Sequence, residues 1–584
     1  MPPPSNKGKG PKRKRPLKPS KSETPIVIDD ANVRLDPLIV PLPILQPLKI
    51  FAFDEVKLAI DISIKEGNGP AVVPSLRPNL VDQVSAVEFS SYVFGAGAFP
   101  AVKAFPSAEG VAADTITGGR GGTVIYVNTL ADSGNSDSTH GSLRWALTQT
   151  FTRTILFQVS GIITITSEIT LTSANSNFTL AAQTSPGGVQ IKGNGVTADK
   201  RTLRFTSGCN NFIVRHLRYR PGGMSTGASN QSGFVLFNSA GGDVHHWIFD
   251  HCSSSWWNDA GYNVYKGTRD GNIQWCLIGE GCNDADPGHV LSVTEGVVDG
   301  KFAIHHNVFS NCTSNERFPW LGHGDHDFIN NLAYNGREAT FGGWQLNMSA
   351  HVNEVKNKYI AGADTGSYGW YDFQPAIGNE GASNGQRRWS TGGIDNDSGG
   401  TATRGGTKLY IEGSWHYRNP AGTPSDYWSG INTRDKFDSG GSSETQLPIE
   451  SNVRVGSRFS ISSVPITEHA TADLEAVLLA AKGVGAWATA NSFGNSNRDQ
   501  ADLDIISDIS GRTGSHAGVG TGGPWPTLSG SAPTDSNSDG IPDDYSIAHG
   551  LSHTTGNHFN TVAPNGYTWG ENYINELAGD TVVY

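Results

Sequence analysis

Six segments between residues 210 and 362 repeat one design: "NNFIVRHLRY", "HHWIFDHCS", "GNIQWCLIG", "KFAIHHNVFS", "HDFINNLAYN" and "NEVKNKYIAG". Each is an alternating apolar strand followed by a polar turn, and they recur at roughly 25 to 35 residues. The unit is too short for a propeller blade and carries no helical period. A β-sandwich would demand frequent tight hairpin turns, and these are few. Stacked coils satisfy both constraints, so the chain is expected to be all-β, a right-handed parallel β-helix over about residues 98 to 420. Inward positions should then form aliphatic, aromatic and cysteine columns. Asn307, Asn331 and Asn357 fall near strand ends, where side-chain amides can bond from coil to coil.

The rest of the chain divides around this solenoid. Residues 1–95 form an N-terminal extension, 96–420 the β-helix, 421–525 a flank packing along it, and 526–584 a C-terminal segment. The extension opens on "MPPPSNKGKGPKRKRPLKPSK", basic, proline-rich and not followed by an apolar h-region, so it reads as a disordered arm rather than an ordinary secretory signal. The apolar run "LIVPLPILQPLKIFAF" after it should dock on another surface. "HGSLRWALTQ" reads as a short helix covering the open end of the stack. "HATADLEAVLLAAKGVGA" puts Leu474, Val477, Leu478 and Ala481 on one helical face, with Thr471 as its cap.

Composition narrows the function. A net charge of -12 over 584 residues leaves no basic face for nucleic acid. No stretch approaches the ~20 apolar residues of a membrane helix. Five cysteines without a CxxC pair read as buried thiols.

A series of short pieces, in order along about residues 98–514, resembles the pectate lyases of the first polysaccharide-lyase family. They include "AFPSAEG", "TGGRGGTVIYVNTLADSG", "FTLAAQTSPGGVQIKG", "IVRHLRYRPGG", "WIFDHCSSSW", "HHNVFSN" and "RDQADLDIISDISGRTG". The resemblance implies a β-helix that cleaves an acidic polysaccharide by β-elimination with Ca2+ as helper. On that basis Asp250 and His251 are architectural and Cys252 is a core ladder thiol. Asp259 resembles the first carboxylate of a D-x-x-x-D calcium pair. Asn263 stands at the second position, where a neutral amide weakens the site. The family takes a further ligand after "RYRPG"; here "GMSTGASNQSG" offers no acid there, and Asn230 and Gln231 are poor substitutes. His289 resembles a cation that meets the substrate carboxylate, and Arg317, in "NERFPW", resembles the family's proton-abstracting base. The expected catalytic residues are therefore Arg317 and His289, with His323, Trp320 and Trp257 as substrate-binding residues. A second arginine expected after Pro319 is missing, and His323 or His326 stands there instead.

"DSNSDGIPDDYSIAHGL" spaces Asp535, Asn537, Asp539 and Asp543 around a glycine turn, as oxygen ligands for a structural Ca2+. It resembles the calcium-binding segment that ends many large pectate lyases, and "NGYTWGENYINEL" resembles their closing helix. Three functions follow: a lyase carried as a phage tailspike or depolymerase on a virion tail, with homotrimers and tail proteins as partners; a secreted microbial pectate lyase; or a carbohydrate-binding spike without catalysis. Hydrolysis by two carboxylates drawn from Asp259, Asp284 and Asp286 is the rival chemistry.

Overall fold

The computed structural model describes residues 102–193, 202–222, 232–237, 242–265, 267–282, 289–294, 300–312, 318–336, 340–341, 350–364, 408–417, 454–487, 498–515 and 522–584, with only the backbone at 289–290, 292–294 and 340–341. Four strands before residue 102 are described as backbone: Ile39–Pro41 pairs antiparallel with Pro70–Val72, and Lys49–Phe53 with Lys57–Asp61. They belong to one compact unit, Met1–Gly97, and the second unit is Ala98–Tyr584. The basic start lies outside the described residues.

In the second unit the chain winds as a parallel β-solenoid. Successive coils contribute strands to three parallel sheets of eleven, nine and seven strands, with neighbours one coil apart in the sequence except at the N-terminal edge, where His140–Gly141 adds to Thr123–Val127. The six repeats are six such coils: Asn210–Arg215, Val244–Asp250, Thr268–Gln274, Lys301–His305, Gly324–Ile329 and Ala350–Val355 stand side by side in the first sheet. Their short continuations, such as Ser253–Ser255 and Val308–Ser310, stand side by side in the second. Among the described coils, neighbouring strands run parallel and are reached by winding rather than by tight hairpins, because parallel neighbours cannot be joined by two-residue turns.

One residue turns each coil from the first sheet to the second. His216, His251, Trp275, His306, Asn330 and Lys356 all have φ between 50° and 57°. Asparagine and histidine are among the side chains that enter that left-handed conformation most readily, whereas tryptophan and lysine are not. The four aromatic corner residues stack from coil to coil: the rings of His216 and His251 lie 5.0 Å apart, His251 and Trp275 5.7 Å, and Trp275 and His306 4.5 Å, all nearly parallel. Beside this column runs the expected amide ladder. The Asn307 backbone N–H donates to Asn331 Oδ1 at 3.0 Å, that of Asn331 to Asn357 Oδ1 at 2.7 Å, and that of Asn357 to Ser414 Oγ at 3.0 Å. Towards the other end the ladder continues through Cys276 and Cys252. All five cysteines are buried thiols outside any disulfide, as expected.

The interior is a single apolar column, including Ile155, Phe178, Phe212, Phe249, Tyr262, Ile304 and Phe328. The helix Leu143–Leu147 sends Leu143, Ala146 and Leu147 into this column, with Ser142 as its N-cap. The second expected helix is much shorter than its pattern suggested. It spans only Leu474–Leu478, its cap position is Asp473 rather than Thr471, and Ala481 is exposed. Leu474 and Leu478 join Leu332 and Tyr334 of the second sheet in one cluster, with Leu479 packed at its edge, and the turn at Gly483 ends the segment. The closing helix Trp569–Leu577 forms as expected, started by a capping box between Thr568 and Glu571.

Candidate functional site

The serine run that follows Asp250 and His251 is structural. Ser253 Oγ donates to Asp502, Ser254 Oγ to the Gly261 carbonyl at 3.1 Å, and all three serines are buried. Asp250 itself is sealed, accepting from Arg215 Nε at 2.7 Å and Gln274 Nε2 at 2.9 Å and facing His251 Nδ1 at 3.0 Å. Burial alone would raise its pKa, but His251 and Arg215 overcome it and hold the carboxyl well below the usual range. This is an architectural ion pair.

A short way along the chain the character changes. Asp259 precedes the strand Ala260–Tyr265 of the third sheet and is 8% exposed. Ser232 Oγ donates to its Oδ2 at 2.8 Å, and Asn263 Nδ2 approaches the same oxygen at 3.4 Å. Gly233 permits this approach: a Cβ there would lie 2.2 Å from the Gly261 carbonyl oxygen. No motif marks Ser232 in the sequence, where the family resemblance leads to an acid in this segment. The segment supplies a hydroxyl instead.

Sheet register then brings distant positions together. His289 pairs with Ala260, directly beside Asp259, and Ser292 pairs with both Asn263 and Trp320 on its two flanks. His289 therefore lies on the strand next to the one that Asp259 precedes, although the two are far apart in sequence. Arg317, Asn230, Gln231, Asp284 and Asp286 lie outside the described residues, as does the side chain of His289.

The aromatic expectations need correction. Trp257 is fully buried in the solenoid interior and cannot meet a polymer, because the chain turns inward there to fill the column beside Tyr262. Trp320 is 3% exposed and His323 8%. His326 is buried, its Nε2 2.7 Å from the His323 carbonyl oxygen and its ring stacked on Phe302.

The donor set beside Asp259 is three oxygens, from a carboxylate, a hydroxyl and an amide whose two ends are interchangeable by rotation. Hard oxygens of this kind suit calcium, although with one formal charge they would bind it weakly. In the C-terminal loop Asp535 accepts from the Asp539 and Gly540 backbone N–H groups, and Asn537 Nδ2 faces Asp539 Oδ2 at 3.3 Å. Asn537 Oδ1 is buried without a partner, and burial together with the neighbouring Asp539 charge raises the Asp535 pKa. A cation would relieve both. The Asp543 carboxylate accepts from the backbone N–H and hydroxyl of Ser536, the residue after Asp535, at 2.7 and 2.6 Å. Elsewhere among the described residues, Glu109, His305 and His306, and His216, Asp250 and His251, bring three ligand-type atoms within 4.8 Å. Both groups lie at the corner between the first and second sheets.

A buried charge cluster ties the second sheet to the C-terminal flank. Asp499 accepts from Arg218 Nε at 2.7 Å and from Arg220 at 2.9 and 3.0 Å, and Asp502 accepts from Arg220 as well. Arg218 and Arg220 flank Tyr219 in the second sheet. Asp499 caps and Asp502 opens the helix Gln500–Gly511. The signal was present in the paired "RYR" and "RDQAD" motifs, whose charges have no solvent-facing reason to sit in apolar surroundings.

No protein-family model matches the sequence. The chain is 26% identical over 510 residues to a protein named "Probable pectate lyase C" from Aspergillus oryzae, covering 86% of this chain and 98% of that one. A protein of the same name from Aspergillus fumigatus is 31% identical over 273 residues, covering 46% of this chain and 56% of that one. Among solved structures, pectate lyase C from Erwinia chrysanthemi matches with a TM-score of 0.37 and 14% identity, over 65% of this chain and 97% of the other.

Proposed function

We propose that this relative of the pectate lyases is itself a polysaccharide lyase, cleaving a pectate-type polyuronate by β-elimination in a groove on the third sheet. Similarity along nearly the whole length of the fungal pectate lyases supports the reaction class. The observation that carries the site is the oxygen cluster itself, with Ser232 and Asn263 both on Asp259 Oδ2 at 2.8 and 3.4 Å.

The chemistry asks for three things. The C5–H next to a carboxylate must be made acidic, a base must take that proton, and the C4 oxygen must leave as the electron pair forms the C4=C5 bond. A Ca2+ ion held by Asp259, Asn263 and Ser232 would neutralise the substrate carboxylate and so acidify C5–H. Arg317 is the proposed base and His289 the proposed contact to the carboxylate. An arginine serves as base only if neighbouring cations and burial lower its pKa; His289 is better matched near neutral pH if they do not. The Asp535, Asn537 and Asp539 loop is the proposed structural calcium site.

The names of the relatives favour the secreted pectate lyase over the virion-tail spike. A polymer of this class meets its enzyme outside cells, and the proposal places the protein there. Trimer formation and tail partners have no support beyond the sequence reading.

The test is polygalacturonate with and without calcium, following the ultraviolet absorbance of the unsaturated product. Asp259→Ala should lose at least about a hundredfold in kcat/KM while keeping the unfolding midpoint. Full activity in Asp259→Ala would remove the site from the reaction.

A further inference from the structure

We propose that Phe237 and Tyr265 form a sugar-stacking subsite on the outer face of the third sheet, beside the Asp259 cluster; this rests on the lyase reading above. Strand geometry sends alternate side chains to opposite faces. Phe234, Leu236, Tyr262 and Val264 fill the interior column. Val235, Phe237, Asn263 and Tyr265 therefore face outward. Register pairs Phe237 with Tyr265 across adjacent strands, and their rings lie 5.2 Å apart at 26°, both half-buried.

Two large rings on the outer face of a solenoid sheet add nothing to its interior, which is already filled from the other side of the same strands. Their position gives them a use. Tyr265 is two residues from Asn263 on the same face, about 7 Å away. Arg204 occupies the same row as Asn263 two strands off, about 10 Å away, with its Nε and Nη2 edge on Glu168. One face thus offers an oxygen cluster, a guanidinium and an aromatic floor. An acidic polysaccharide carries the complementary groups: carboxylates at intervals and, on each pyranose ring, a flat C–H face that packs on an aromatic ring. A chain lying over Asp259 would run its neighbouring sugar across Phe237 and Tyr265.

The experiment uses the full-length protein with oligogalacturonates of increasing length. Tyr265→Ala should raise KM for long oligomers about fivefold to tenfold, with a smaller change for oligomers too short to reach both places. Tyr265→Phe, which keeps the ring, should match the wild type. An unchanged KM in Tyr265→Ala with an unchanged unfolding midpoint, or an equal loss at every length, overturns the subsite. Should Tyr265→Ala not fold, Phe237→Leu keeps the apolar volume, removes a ring and carries the same expectation. Retardation in a gel containing polygalacturonate separates this from the lyase reading, since it needs no turnover. A protein that cleaves nothing but is retarded, and loses retardation in Tyr265→Ala, keeps the subsite and ends the lyase assignment. Equal migration of wild type and variant ends the subsite.

Discussion

Arg215 donates its Nε to Asp250 at 2.7 Å with both side chains closed to solvent, and the same guanidinium reaches Asp580, 365 residues further along the chain, at 3.0 Å. The C-terminus is thereby locked to the first sheet through a buried charge. Removing one partner of such a pair leaves a buried charge exposed to a low dielectric. Asp250→Asn should cost about 3 kcal/mol of stability, at the low end for such pairs because Asp580 remains. Denaturant unfolding measures it, and a loss below about 1 kcal/mol would show that Asp580 alone satisfies Arg215.

The amide ladder makes a second demand. Asn331 Oδ1 accepts from the backbone N–H and the side chain of Asn307, and Asn331 Nδ2 donates to the Ile304 carbonyl oxygen. Asn331→Leu keeps the volume and strands these buried donors and acceptor. The expected cost is about 2 to 4 kcal/mol, seen in the unfolding free energy. A neutral substitution would mean that the ladder follows the fold without stabilising it.

Glu354 sets a pH dependence. It is fully buried, and burial pushes its pKa up to about 7 against the donated hydrogen bonds of Ser414, Asn357 and Tyr359. Between about pH 4.5 and 7 the folded protein keeps a proton that the unfolded chain has lost. Stability therefore falls as pH rises through that window, and the full penalty, about 3 kcal/mol as an upper value, holds above it. Glu354→Gln should leave stability unchanged near pH 4.5 and raise it by up to that amount at pH 8. Parallel stability curves for the two proteins would contradict the raised pKa.

Much of this molecule was legible because the solenoid writes itself periodically. The strand alternation at Phe212, Val214, Trp247, Phe249, Ile273 and Ile304 gave inward columns, and Asn307, Asn331 and Asn357 marked the corner. Periodicity is a local property, and these elements are local. The Leu474–Leu478 helix was over-read because its apolar spacing continued beyond the two residues that find the second sheet. Trp257 was misplaced because sequence does not say which way a tryptophan turns at a coil corner. Ser232, and the Arg220–Asp499 contact across 279 residues, depend on stacking between coils or on a returning C-terminal helix. No window of sequence contains both partners.

The central claim is bond cleavage by elimination, and the mass of the products tests it most directly. Purified full-length protein is incubated with polygalacturonate in the presence of calcium, and the oligomers are weighed by mass spectrometry. Elimination adds no atoms, so each cleavage should give one ordinary reducing fragment and one fragment lighter by a water, with an unsaturated ring at its non-reducing end. Fragments that have all gained water would assign hydrolysis to this groove and contradict the account.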